Sequence, residues 1–240
     1  MDKIKLNQVT LVTVNCDCPD DGIKALRYSI KDIDFGRVLL LSSAHYDLPD
    51  IEAIDIPNLD SIYKYNDFML GLIRYINTPY ALVIQSDGFI VNAYMWADEF
   101  LEYDYIGAPW PNDLRWIEDQ REDKQNLIHQ AIIQNRIGNG GFSLRSKKFL
   151  EYAEQFENCE YEDIKWGEDI FLCGLHYQDA KKAGIKFSPI KLAYKFSYEN
   201  RCKDFGDDYR SPYFFNVNNH FGFHHCNFTN GQEILNLKNG

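Results

Sequence analysis

The first 85 residues alternate between apolar β-rich runs and segments of helical period, and that alternation restricts the fold more than any other feature of the chain. Val9-Thr10-Leu11-Val12-Thr13-Val14 is a continuous apolar run. Asp20 to Ile33 then carries Ile23, Leu26, Ile30 and Ile33 at helical spacing, with Asp20 or Asp21 as the expected cap. Arg37 to Ser42 and Ile51 to Ile56 read as the second and third strands. Ser61 to Ile76 reads as a helix with Tyr65, Phe68, Met69, Leu72, Ile73 and Ile76 on one stripe, and Tyr80 to Gln85 as the fourth strand. A β-α-β-β-α-β order with uninterrupted apolar strands predicts an α/β fold, a mostly parallel sheet covered by helices on both faces. In such sheets ligands bind beyond the carboxyl ends of the strands. Chemistry is therefore expected after Val14, after Leu41 and after Ile84.

Beyond residue 110 the pattern changes. Asn112 to Lys124 is polar and charge-rich and reads as a mobile loop able to close over a site, followed by a short helix up to Gln134. A glycine-rich segment, a helix from Lys147 to Phe156, an acidic segment from Glu160 to Asp169 and a helix from Asp169 to Ala183 come next. The remainder, from Ile185, reads as strand and loop rich in Tyr, Phe, Asn and His. No internal repeat or linker divides the chain, which predicts one domain over residues 1–240.

Charge limits the partners. With 36 acidic against 25 basic residues the net charge is −11, which gives no electrostatic footprint for a nucleic-acid backbone or an anionic membrane. An anionic ligand would need a local cation, and a divalent metal ion would supply it. No apolar stretch approaches the ~20 residues of a membrane span. The start, Met1 to Asn7, lacks the apolar core of a secretion signal. The six cysteines, of which only Cys16 and Cys18 are close in sequence, are accordingly expected to be reduced thiols in a cytoplasm.

Four segments carry candidate chemistry. Gln85-Ser86-Asp87-Gly88 closes a strand at a predicted ligand-binding edge, where a carboxylate can hold a metal bridging two phosphates; the same letters also make an ordinary turn. Gly138-Asn139-Gly140-Gly141-Phe142-Ser143-Leu144-Arg145 lets backbone approach a ligand closely and ends in an arginine able to offer a charged fork, or is a flexible loop. Trp166-Gly167-Glu168-Asp169 opens a helix. Either acid can act as a general base and the Trp can stack on a sugar, although acids are favoured at a helix start in any case. His220, His224 and His225 lie within six residues in an aromatic tail, as metal ligands or as structural histidines.

Taken together, Val83-Ile84-Gln85-Ser86-Asp87, Asp104 to Trp110, Gly138 to Arg145 and Glu168-Asp169 resemble a glycosyltransferase domain of the GT-A type. More closely, they are similar to a family of bacterial and viral domains of unknown function, over about residues 8 to 226. The resemblance implies a GT-A, Rossmann-like sheet with a nucleotide-binding half in residues 1–110 and an acceptor-binding half in 111–240. It implies a donor, a UDP-sugar, near Thr13, Val14, Asn15, Gln85, Ser86, Asp87 and Arg145. Gln85-Ser86-Asp87 stands where such enzymes carry a metal-binding Asp-x-Asp motif. The first acid is replaced by Gln85, which leaves Asp87, with His224 as the C-terminal partner, to hold Mn²⁺ or Mg²⁺. A glycan acceptor is implied at Trp110, Gly140, Gly141, Trp166 and Gly167, with Glu168 and Asp169 catalytic and Asp169 the base of an inverting transfer. A nucleotide- or carbohydrate-binding module without catalysis would keep the aromatics and glycines but would not require Asp169. A glycosidase needs a facing pair of carboxylates, whereas here the two best acids are adjacent.

Overall fold

The computed structural model describes residues 2–111, 122–158, 167–200, 202–206 and 217–224. Strand β1 (Ile4–Val14) lies at the centre of a six-stranded sheet. Helix α1 (Pro19–Ser29) leads to β2 (Ile33–Ser42) and β3 (Glu52–Asp55), and α2 (Ile62–Leu70) leads to β4 (Tyr80–Ile84). The second half adds β5 (Gly88–Ile90), β6 (Tyr105–Gly107), α3 (Glu122–Gln134), β7 (Phe142–Ser146) and α4 (Lys147–Glu154). It ends with α5 (Tyr177–Lys182), α6 (Ile190–Phe196), β8 (Ser197–Tyr198) and β9 (Gly222–His224). The order in the large sheet is β3-β2-β1-β4-β7-β6, parallel except at β7, which runs antiparallel to both neighbours. This is the mostly parallel, helix-flanked α/β architecture that the alternation predicts.

The apolar runs are continuous because both faces of the sheet are covered. On one face Val9 and Leu11 of β1, Leu40 of β2, and Leu82 and Ile84 of β4 pack with Ile23 and Leu26 of α1. On the other, Val12, Val14, Leu39, Leu41, Ala81 and Val83 pack against Met69 of α2, Leu72 and Ile76, and Leu150 of α4. Successive residues of a strand point to opposite faces, so each run feeds two cores. Full burial of one such side chain contributes roughly 1.5–3 kcal/mol.

Several element boundaries differ from the sequence reading. Helix α1 starts at Pro19 with Cys18 at its cap position and no side-chain cap bond; Asp20 and Asp21 lie in its first turn, where they favour the helix dipole without capping. Ser61 does cap α2, accepting from Lys64 N at 3.2 Å, but the long helix expected through Ile76 stops at Leu70. Gly71 follows, then a 3₁₀ turn over Leu72–Tyr75. The helix expected over Asp169 to Ala183 is a π-helical segment, Ile170–Leu175, followed by α5. Glu122 to Lys124, expected to belong to a loop, begin α3; residues 112–121 of that loop lie outside the described residues. The tail, expected to be strand and loop, contains α6.

Two features of the topology build one site. Because β7 inserts beside β4 in antiparallel register, with Ile84 opposite Phe142, the segment that enters β7 lies against the segment that leaves β4. Gln85 N accordingly donates to Gly141 O at 3.0 Å. A small second sheet, β5-β9-β8, then brings Gly88 opposite His224 and Tyr198 opposite Phe223.

Candidate functional site

A cavity of about 420 Å³ opens at the carboxyl ends of β1 and β4, lined by residues that include Val14, Asn15, Asp60, Tyr65, Gln85 and Ser86. Four of the seven residues that the sequence places at a donor therefore line one pocket. Asn15 shapes the entry loop by accepting from Cys18 N at 2.9 Å. Gln85 is anchored from the pocket wall, its Nε2 donating to Tyr65 Oη at 3.0 Å. Cys16 and Cys18 lie in the loop after Val14, where a site is expected, but Tyr65 and Asp60 carry no site signal in the sequence, because they reach this cavity only through the tertiary fold. The lining includes Asp17 and Asp60 and, among the described residues, no Lys or Arg.

Thr13 is a correction. It is fully buried and is not among the residues that line the cavity; its methyl group lies against Gly22 of α1. Arg145 is a second. Its side chain is 1% exposed and pairs with Glu168, Nη2 to Oε1, at 2.7 Å. Its Nε donates to Ser143 Oγ at 2.9 Å and its plane faces the Tyr105 ring. Burial opposes the guanidinium's charge, but the Glu168 carboxylate outweighs it and holds the group protonated. A guanidinium so enclosed presents no fork to a phosphate. Trp110 is a third: it is 4% exposed with its ring packed over Gly138, where a Cβ would lie 2.0 Å from it. No face of Trp110 is free to stack on a sugar. Trp166 lies outside the described residues.

Beside the cavity, His224 is held between two carboxylates. Its Nδ1 lies 3.3 Å from Glu199 Oε1 and 3.2 Å from Asn139 Nδ2. Its Nε2 lies 2.9 Å from Gln85 Oε1 and 3.4 Å from Asp87 Oδ1. Burial works against the charged ring, but Asp87 and Glu199 prevail and push its pKa up to about 10. Glu199 is a site residue that sequence reading misses; it has no neighbouring motif and arrives beside His224 through the pairing of β8 with β9. The second oxygen of Glu199 is buried without a hydrogen-bond partner among the described residues. Gly141 is required here, because a Cβ would meet His224 Nε2 at 2.2 Å. The other candidate histidine, His220, is buried and bonded through Nδ1 to Tyr194 O at 2.6 Å, a core role. His225 lies outside the described residues.

Among the described residues no three His, Cys, Asp or Glu side chains cluster as a metal centre. The donor set that does converge is an imidazole nitrogen, one carboxylate oxygen of Asp87 and the amide oxygen of Gln85. These three would hold a divalent ion such as Mn²⁺ or Mg²⁺, with room for phosphate oxygens, only once the His224 ring gives up the proton that Asp87 and Glu199 favour.

Asp169 completes the site. Its Oδ2 accepts from Gly140 N at 2.9 Å and its Oδ1 from Ile170 N at 2.8 Å. Burial, then the neighbouring Glu168 charge, raise its pKa to about 7, against the pull of those two backbone donors. Gly167, with φ +142°, makes the turn that precedes the two acids, a conformation only glycine adopts readily. Glu168 and Asp169 therefore diverge as adjacent residues do: Glu168 goes inward to Arg145, and Asp169 goes to the glycine loop. A carboxyl group poised near neutrality can accept a proton.

Fold and site define a class. The chain has a GT-A fold, and its architecture is similar to that of a galactosyltransferase, LgtC, solved in complex with donor and acceptor sugar analogs. The two match with a TM-score of 0.53 and 15% identity, over 96% of this chain and 95% of that chain. An active-site mutant of LgtC matches with a TM-score of 0.53 and 16% identity, over 96% and 95% of the two chains. The chain belongs to a family described as "Protein of unknown function (DUF5672)", whose model matches residues 49–213. No curated protein matches the sequence. No helix among the described residues is long and apolar enough to cross a membrane.

Proposed function

We propose that this protein transfers a sugar from a nucleotide-diphosphate sugar, a UDP-sugar, to a hydroxyl group of a glycan acceptor. The observation that carries the reading is the Asp169 carboxyl group: raised toward neutrality, held by two backbone N–H groups, and bonded to the glycine loop, whose Gly141 carbonyl accepts from Gln85 N at the cavity wall. The LgtC likeness supports the same reading through the fold. The nucleoside occupies the cavity between Val14, Asn15, Tyr65 and Gln85. The acceptor hydroxyl attacks the anomeric carbon, its proton passes to Asp169, and the bond from that carbon to the diphosphate oxygen breaks, which inverts the configuration. Gln85, Asp87 and His224 would hold a divalent cation, which when bound supplies the positive charge that an anionic diphosphate requires and that the acidic cavity lining lacks. The glycine loop at Gly140 and Gly141 faces the acceptor side, where Asp169 lies.

The test is incubation with a panel of nucleotide sugars beginning with UDP-galactose, with and without Mn²⁺, and a broad set of glycan acceptors. Nucleotide release and product formation that depend on Asp169 are expected. Tight nucleotide binding without turnover on any acceptor overturns the enzymatic reading in favour of a binding module.

A further inference from the structure

The glycine loop and the acid pair share one buried cation that the proposed transfer does not use. Arg145 Nη2 bonds Glu168 Oε1 at 2.7 Å and also reaches Gly140 O at 3.3 Å. Arg145 Nε donates to Ser143 Oγ at 2.9 Å, and Ser143 Oγ donates to the same Gly140 O at 3.0 Å. On the other side of Gly140, its N–H donates to Asp169 Oδ2 at 2.9 Å. A directed chain of hydrogen bonds thus runs from Arg145, directly and through Ser143, to the carbonyl of the residue whose N–H holds Asp169 Oδ2. A second connection runs through Glu168, the peptide neighbour of Asp169. A buried ion pair that only supports the fold needs no contact with the Gly140 carbonyl; the peptide plane on the other side of Gly140 is held separately, its Asn139 carbonyl accepting from Tyr105 Oη at 2.8 Å.

We propose that Arg145 is a positioning residue: a buried counter-ion that fixes the peptide plane of the Gly140 carbonyl and, with Tyr105 holding the preceding plane through Asn139 O at 2.8 Å, aims the Gly140 N–H at Asp169. The proposal rests on the reading of Asp169 as the proton acceptor. Arg145 touches neither substrate; it acts through Gly140 and through Glu168. The other ionisable groups that act on Asp169 are Glu168 and Glu199, and Asp169 in turn bears on Tyr65, Tyr105 and Cys173. The bonds to the Gly140 carbonyl come instead from Arg145 and Ser143.

The decisive variant is Arg145→Lys, which keeps the charge opposite Glu168 but lacks the planar fork that reaches two acceptors and Ser143 at once. Transfer kinetics and the ¹H–¹⁵N resonance of the Gly140 amide are measured on the same folded preparations. Donor KM is expected to stay within about twofold while kcat falls roughly 10- to 100-fold, as for a small misplacement of a reacting group. The Gly140 amide proton is expected to move upfield, in the direction that Asp169→Asn moves it. Ser143→Ala removes one link without touching the ion pair and should shift both readouts the same way, with kcat lowered about 2- to 10-fold. A folded Arg145→Lys protein with wild-type kcat overturns the proposal, whether or not the amide resonance moves. If that variant does not fold, Ser143→Ala decides by the same criteria. Wild-type transfer by Asp169→Asn overturns the base assignment instead, and the Gly140 resonance still reports the geometry by itself.

Discussion

Gly140 and Asp169, 29 residues apart, are joined by a 2.9 Å bond from the Gly140 N–H to Asp169 Oδ2. The bond ties the loop that enters β7 to the start of the π-helical segment. It fixes the one carboxyl group, among the described residues, that combines a pKa near 7 with a place at the candidate site.

Asp169→Asn should therefore separate chemistry from folding. The amide keeps one oxygen for one of the two backbone N–H groups and leaves the other without its acceptor, so melting temperature near pH 4 should fall by no more than a loss of about 1–3 kcal/mol of stability would cause, and donor binding should change little. Transfer should fall by roughly 10²- to 10⁴-fold, the usual worth of a positioned base. Steady-state rates and calorimetric donor affinities on one preparation check this, and wild-type transfer by the variant removes Asp169 from the mechanism.

The raised pKa also has a sign in stability. The folded protein holds the Asp169 proton up to about pH 7, whereas an unfolded chain releases it near the ordinary value of 3.8. Between those values the folded state binds more protons, so Asp169 lowers stability progressively as pH rises through this window, and no further above it. The melting temperature of Asp169→Asn relative to wild type should climb from about pH 4 to about pH 7 and then level off. Transfer should show the complementary acid limb, rising with pH to a plateau above about 7. A difference in melting temperature that is constant across the window contradicts the assignment.

Removal of the cation should weaken the donor. UDP-galactose is expected to bind at least about tenfold more weakly in EDTA than in Mn²⁺, since the lining carries Asp17 and Asp60 and no Lys or Arg among the described residues. Asp87→Ala should abolish the difference. Titration calorimetry settles it: equal affinity in both buffers, with Asp87→Ala also silent, means that no metal is used.

Gly141→Ala should act on the same corner by shape. The new methyl would lie 2.2 Å from His224 Nε2, and the ring cannot retreat easily while Glu199 and Asn139 hold its other edge. The expected cost is about 1–3 kcal/mol in stability, typical of forced overpacking. Cation-dependent donor binding should be lost in the protein that remains folded. Unchanged affinity would show that His224 is not part of that site.

Much of the fold is legible in the amino-acid sequence. The runs at Val9–Val14, Arg37–Ser42 and Tyr80–Gln85 are apolar on both faces over most of their length, the pattern of a doubly covered parallel strand. The glycine segment and the Glu168-Asp169 pair are legible as chemistry because their residue types are uncommon together. Arg145 and Trp110 mislead for one reason: composition marks a side chain as able to bind a ligand but not whether the core has already enclosed it. Thr13 misleads because alternation along β1 decides which of two adjacent residues meets the cavity, and that depends on which face each helix covers.

The sequence by itself determined the succession of strands and helices in the first half and pointed to the carboxyl ends of the strands and to Asp87, Glu168 and Asp169, because these follow from local periodicity and from charge. Tertiary structure alone decided that Glu199 meets His224, that Tyr65 anchors Gln85, that Arg145 is the counter-ion of Glu168, and that Gly140 holds Asp169. These contacts join residues 20 to 29 positions apart, and the Asn139–His224 contact beside them spans 85. Apart from the Tyr65–Gln85 bond, which α2 makes with the end of β4, they depend on the entry of β7 antiparallel beside β4 and on the closure of a second sheet by β9 against β5. Pairing of distant strands leaves no periodic trace in either partner, so its consequences appear only when the chain is folded.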